Sequence, residues 1–278
     1  NFSAIVPFHN HKTLRSHWGG TGLSVYYDKT AQNGLLKNTG VNGSFAYNIF
    51  LGEFGYQQIS FGLQAGLVQK QLNVDDLEWG AGYTRNDNSF DPSGTTSLTS
   101  NILYPDIASG IIWSYNAMKD IAVNNISAYA GVALYHINSP NTSLIQGKTY
   151  DVPRLYKFHT GLEWQLTNKV GFSPNILAAF QNNIMQLNSG LYLTYKLISS
   201  TEGKLANTSL IVGSWYRLHD GMIFSTGLSG QHYTLGFSYD LNNASLSDYS
   251  SKRGAYEISL AIRFIKKGNT RRYDSPRI

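Results

Sequence analysis

The 278-residue chain contains no cysteine. Disulfide staples and thiolate metal sites are therefore excluded, and the redox compartment is left open. Charge is scarce as well: Asp, Glu, Lys and Arg make up 14% of the residues, against about one-quarter in an ordinary soluble domain. No apolar run reaches the roughly 18 residues of a helical membrane span, a test that any strand-built membrane protein would also fail. Catalytic signatures are missing too. The chain has no GxSxG elbow, HExxH zinc site, Walker loop or GxGxxG fingerprint. Its seven histidines are scattered; His9 and His11 share a stretch that reads as a solvated turn rather than a metal site. No catalytic residue, metal site or cofactor is expected, and the chain reads as non-enzymatic.

What the chain does have is alternation. In His232–Asp240, Tyr233, Leu235, Phe237 and Tyr239 alternate with His232, Thr234, Gly236, Ser238 and Asp240. In Ala255–Phe264, Tyr256, Ile258, Leu260, Ile262 and Phe264 alternate with Glu257, Ser259, Ala261 and Arg263. A strand turns successive side chains to opposite faces, so each segment has one greasy and one wet face. Segments of about ten residues that repeat this pattern between turns are the signature of a transmembrane β-barrel, apolar outside and polar in the lumen. The 27 Gly and 19 Tyr suit tight turns and interfacial aromatic girdles.

Thirteen strands are expected, at about 1–8, 17–28, 38–50, 55–69, 106–116, 125–137, 152–166, 169–180, 184–198, 207–217, 221–230, 231–241 and 254–265. Both faces of Tyr129–Tyr135 and Ser209–Tyr216 look apolar, so these two strands cannot be oriented. Single-chain bacterial barrels have an even strand number with both termini in the periplasm. The expectation is thus an all-β, antiparallel up-and-down barrel of fourteen strands, the first lying upstream of Asn1. A periplasmic C-terminus makes Gly52–Gly55, Thr167–Lys169 and Gly230–Gln231 short periplasmic turns. It places Lys70–Pro105, Asn138–Asp151 and Asn242–Arg253 outside the cell. Residues 1–265 would form the barrel and 266–278 a basic periplasmic tail. The competing fold, a soluble sandwich or jelly roll, would show Lys, Glu and Asp freely on its outer positions. Here one strand face is almost wholly Leu, Ile, Phe, Tyr and Trp.

The net charge of +5 gathers at the end of the chain, where Lys252, Arg253, Arg263, Lys266, Lys267, Arg271, Arg272 and Arg277 lie. Nucleic acid is therefore not an expected partner of the body. Lys266, Lys267, Arg271 and Arg272 could touch an acidic periplasmic protein or lipid headgroups. On strands, Glu163, Lys196, Asp240, Glu257 and Arg263 fall on lumen faces. There they could tune a pore, or form a network of paired charges that fills and stiffens the barrel. Asp87 and Asp91, in Asn86–Asp91 of the long external segment, could contact a partner, and they offer oxygens near one another. The spacing lacks the Gly and final Glu of a calcium loop, so a polar loop is the simpler reading. Ser139, Pro140 and Asn141 lie where an external loop begins; they could fix a bend or contact a partner.

Several segments in sequence order resemble one family. They are Gly22-Leu23-Ser24-Val25-Tyr26-Tyr27-Asp28-Lys29, Ile59-Ser60-Phe61-Gly62-Leu63-Gln64-Ala65-Gly66 and Tyr135-His136-Ile137-Asn138-Ser139-Pro140-Asn141. Gly213-Ser214-Trp215-Tyr216-Arg217, Gly236-Phe237-Ser238-Tyr239-Asp240 and Arg253-Gly254-Ala255-Tyr256-Glu257-Ile258-Ser259-Leu260 follow. The ordered set resembles the PorP/SprF family of outer-membrane proteins of the Bacteroidetes type IX secretion and gliding machinery. The resemblance implies a first strand ahead of this chain. It also implies a role in exporting or retaining large surface proteins such as adhesins, through recognition of their C-terminal domains. Expected partners are such a secreted protein, other components of the machinery, periplasmic ones among them, and outer-membrane lipid. A fourteen-strand barrel is narrower than the open 16–18-stranded porins, so the chain would be an anchor rather than the conduit for a folded protein. The alternative is an outer-membrane transport barrel for small or apolar solutes.

Overall fold

A computed structural model of the chain describes residues 1–9, 17–30, 35–52, 56–72, 83–84, 89–90, 101–116, 126–145, 147–198, 207–242 and 255–264. Every regular element among them is a strand. In chain order these are β1 (Phe2–His9), β2 (His17–Thr30), β3 (Leu36–Leu51), β4 (Gln57–Leu72), β5 (Tyr83–Thr84), β6 (Ser89–Phe90), β7 (Asn101–Asn116) and β8 (Ile126–Tyr135). They continue with β9 (Leu155–Gln165), β10 (Val170–Gln181), β11 (Ile184–Lys196), β12 (Ser209–Arg217), β13 (Gly221–Ser229), β14 (Tyr233–Asn242) and β15 (Tyr256–Ile262). Apart from β5 and β6, which pair only with each other, the strands form one 13-stranded sheet in which each lies beside the next long strand of the chain. This is the antiparallel up-and-down order of a barrel, as the alternation predicts, and all thirteen expected strands are present. The strands group into two compact units, one made of Asn1–Ile49, Ser60–Ile111 and Ala133–Tyr156, the other of Phe50–Ile59, Ile112–Val132 and Lys157–Ile278.

Several boundaries move by a few residues. The connection read as Lys70–Pro105 shortens at both ends, because β4 runs on to Leu72 and β7 begins at Asn101. Gln69 and Asn101 show why: the Gln69 amide donates to the Asn101 side-chain oxygen at 3.1 Å, so polar residues continue the pairing. Nor is this connection without structure, since β5 and β6 form a small hairpin within it.

The two faces of the sheet differ sharply. On β14, Leu235 is 45% exposed and Phe237 46%, while Gly236, Ser238 and Asp240 between them are partly covered. The same alternation runs along β13, where Met222, Phe224 and Leu228 are exposed, and along β4, where Phe61, Leu63 and Leu67 are. Among the described residues the buried apolar side chains are only Val68, Ala108 and Ala178, and no large side chain is fully buried. A soluble sandwich would hide one face of each sheet in a core. The described residues form no such core; the large apolar side chains of one sheet face stay exposed, a face suited to an apolar solvent.

Aromatic rings gather on the apolar face near one end of the first unit. The β1–β2 register skips Trp18, passing from Phe8↔Gly19 to His9↔His17. The bulge lets Trp18 stack on Phe8, with centroids 4.9 Å apart, and brings it to 6.4 Å from Tyr47. Such a cluster at a strand end is what an interfacial aromatic girdle requires.

Wide side chains on the polar face are seated on glycine. Gly190 lies directly opposite Trp215 and Gly213 opposite Tyr192. A Cβ added to Gly190 would sit 2.1 Å from a Trp215 ring carbon, and one added to Gly213 would sit 2.2 Å from a Tyr192 ring carbon. Each ring therefore lies against the bare backbone of its neighbour, and the two rings meet edge to face at 6.1 Å. This arrangement, an aromatic ring covering a cross-strand glycine, also pins register.

Two predictions follow from these faces. Leu235→Arg should destabilise the fold by about 2–4 kcal/mol if it lies at the bilayer midplane, whereas Ser238→Arg should be far better tolerated. Heat-modifiability on gels measures both. Gly213→Ala should cost about 1–3 kcal/mol by overpacking against Tyr192. Adding Tyr192→Ala should recover part of that loss, a coupling that a double-mutant cycle reads directly.

Candidate functional site

The polar face of the second unit carries a hydrogen-bonded set of rings and amides. Trp215 Nε1 donates to the Tyr192 hydroxyl at 2.8 Å. The Tyr129 hydroxyl donates to Asn175 Oδ1 at 2.7 Å, and the Tyr129 ring lies 5.5 Å from that of His159. Gly213, Trp215 and Arg217 fall on one face of β12, with exposed Val212 and Tyr216 on the other. This settles the strand whose sequence looks apolar on both sides. In β8, exposed Val132 marks the apolar face, so Tyr129 and Gly131 belong to the polar one.

Asp240 is the expected lumen charge that the structure draws into an ion cluster. Its partner Arg217 carries no such expectation in the sequence reading. Arg217 Nη2 donates to Asp240 Oδ2 at 2.9 Å and Nη1 to Asp220 Oδ2 at 2.6 Å. The cluster ties the β12–β13 turn to β14. Glu163 is half-buried on the same face of β9 as His159 and Gly161. Lys196 ends β11 opposite Ser209, and Glu257 lies opposite Ser238 on exposed β15. Arg263 follows β15 and reaches back to Thr234, with Nη2 to Oγ1 at 2.5 Å. Thr234 shares the polar face of β14 with Asp240. The five charges are therefore spread along the strands rather than gathered into one site. Among the described residues no three His, Asp or Glu side chains lie close enough to share a metal ion.

Ser139, Pro140 and Asn141 are brought together, in an arch between β8 and β9. Its base is pinned to β7 three ways. His136 Nδ1 lies 2.9 Å from Asp106 Oδ1. The Asn138 amide donates to the Pro105 carbonyl at 2.8 Å and accepts from the Ile107 amide at 3.2 Å. The Ile137 amide donates to the Ile107 carbonyl at 3.0 Å. Above this base two arms pair, with Asn141 bridged to Asp151. Pro140 is buried, and its carbonyl accepts from Val152. Asn141 Oδ1 accepts from the Ser143 amide at 3.0 Å and the Tyr150 amide at 2.9 Å, tying one arm to the other. His136 and Ser139 take positive φ of 57° and 42°, a conformation non-glycine residues hold only where the surroundings enforce it. Pro140 is thus buried within the arch, whereas Asn141 is exposed while its side-chain oxygen braces the two arms. Of the remaining expected sites, Asp87, Asp91, Lys266, Lys267, Arg271 and Arg272 lie outside the described residues.

The family model described as type IX secretion system membrane protein PorP/SprF matches residues 1–262. The matched span ends at the last residue of β15. No curated protein matches the chain.

The Arg217 cluster yields a graded expectation. Asp240→Ala leaves a partly buried guanidinium short of an acceptor and should cost about 1–3 kcal/mol. Asp220 is more exposed, at 40% of its side chain, so Asp220→Ala should cost less than about 1 kcal/mol. The temperature at which each variant loses its heat-modifiable form on gels gives the comparison.

Proposed function

Because this chain belongs to the PorP/SprF family of type IX secretion system membrane proteins, we propose that it is a non-enzymatic barrel of the outer membrane that helps export or attach large secreted proteins. Its cargo would be adhesins, recognised through their C-terminal domains. The observation that carries this reading is a family match running through every strand of the sheet. The exposed apolar face supports the membrane setting, and the polar face would line the lumen. In the proposed orientation the short connections at 52–56, 166–169 and 230–232 face the periplasm. The arch between β8 and β9 and the longer connection holding β5 and β6 face outward as docking surfaces. The turns at 182–183 and 218–220 are short on that same outer side, so length there is concentrated in particular loops. Lys266, Lys267, Arg271 and Arg272 are proposed to meet a periplasmic component of the machinery by charge complementarity.

A second reading, a transport barrel for small or apolar solutes, draws on one feature. The first unit holds a cavity of about 350 Å³ lined by Ile5, Gly22, Ser44, Gly62, Gly110 and Tyr135 among others. Directly opposite Gly22 stands Ile5, which makes this wall apolar. Co-purification separates the two readings. The chain in its native membrane should retain the C-terminal domain of a surface protein secreted by the same cells, and planar bilayers should show no steady conductance. Steady single-channel currents without retention would favour the transport barrel.

A further inference from the structure

We propose that the tip of the β8–β9 arch, formed by Ile145, Lys148 and Tyr150, is the contact surface for the secreted partner, and that it fits an apolar pocket bordered by carboxylates on a folded domain. This rests on the reading of the chain as a docking barrel and names the part that docks. Connecting two antiparallel strands needs no arch of this kind. At the β10–β11 hairpin, Asn182 and Asn183 suffice between Gln181 and Ile184. The arch instead spends residues on a stem and a base.

What that framework supports is the tip. The backbone of each tip residue is fixed while its side chain faces outward. Tyr150 is held from both sides: its amide donates to Asn141 Oδ1 at 2.9 Å, and its carbonyl accepts from the Thr142 amide at 2.8 Å. Its side chain is nonetheless 62% exposed. The Ile145 amide donates to Ser143 Oγ at 3.2 Å, and its carbonyl accepts from the Lys148 amide at 3.2 Å. Ile145 is 38% exposed. Gly147, at φ 74°, makes the turn that sets Lys148. A fixed backbone presenting a tyrosine, an aliphatic side chain and a cation is preorganised for binding, since little ordering entropy is left to lose. Tyrosine is among the residues that most often dominate interface energetics, seated in a desolvated pocket. The charges of the arch point to the sign of the rim. Exposed Lys148 and Arg154 outnumber exposed Asp151, so carboxylates on the partner are favoured.

The experiment uses the full chain, purified from outer membranes, and the isolated C-terminal domain of a surface protein secreted by the same cells. Tyr150→Ala should weaken binding about thirtyfold, the loss expected of a residue that dominates an interface. Lys148→Glu should slow association and reverse the dependence on salt. Asn183→Ala, in the β10–β11 turn, should leave binding unchanged. All three side chains are exposed, and heat-modifiability confirms that each variant is assembled. Equal binding by the unaltered chain and by assembled Tyr150→Ala and Lys148→Glu would overturn the assignment of the tip while leaving the docking reading intact. Failure of the unaltered chain to bind any such domain would overturn both.

Discussion

Backbone hydrogen bonding in a medium without water is the constraint from which the rest of this structure follows. Inside a bilayer an unpaired amide or carbonyl costs several kcal/mol, so a chain that crosses as strands must pair each with its neighbours. The meander does this with the least rearrangement, each long strand lying beside the next in sequence. Pairing in turn fixes the pleat, and the pleat sends Leu235, Phe237 and Tyr239 to one side and Gly236, Ser238 and Asp240 to the other. The near absence of buried apolar residues among the described residues is a consequence of this arrangement rather than a weakness of the fold. Stability comes from the ladder, from the lipid around the apolar face and from contacts on the polar face. Gly190 beneath Trp215 and Gly213 beneath Tyr192 show how those contacts are made without breaking the pleat.

The strands were legible in the sequence because period-two patterning is local: Ile59 to Leu67 and Tyr256 to Phe264 declare their faces without reference to any neighbour. Two strands were not. In β12, Trp215 looks apolar and masks the polar face it occupies; only its partner strand, with Gly190 opposite, shows why a bulky ring can lie there. Arg217 was hidden for the same reason, since its role depends on Asp220 three residues on and Asp240 across two strands. Strand ends were misjudged where polar side chains extend a ladder, as at Gln69 and Asn101. The arch was the hardest feature to read. Ser139, Pro140 and Asn141 announce a bend, but the acceptor role of Asn141 depends on Tyr150 nine residues away.

The loops and the sheet answer to different constraints. The sheet must satisfy its backbone in lipid, so its sequence is patterned and repetitive. Within the arch, amides are tied to Asn141, Ser143 and Pro140. These ties set the segment apart from the two-residue turn at Asn182–Asn183.

The claim that the apolar face meets lipid can be tested directly, because the chain has no cysteine of its own. Single cysteines placed in turn from Thr234 to Leu241, each carrying a fluorophore, would be reconstituted into bilayers with brominated acyl chains. The account predicts quenching with a period of two residues, strong at 235, 237, 239 and 241 and weak at 234, 236, 238 and 240. Quenching that is absent, or uniform along β14, would contradict it.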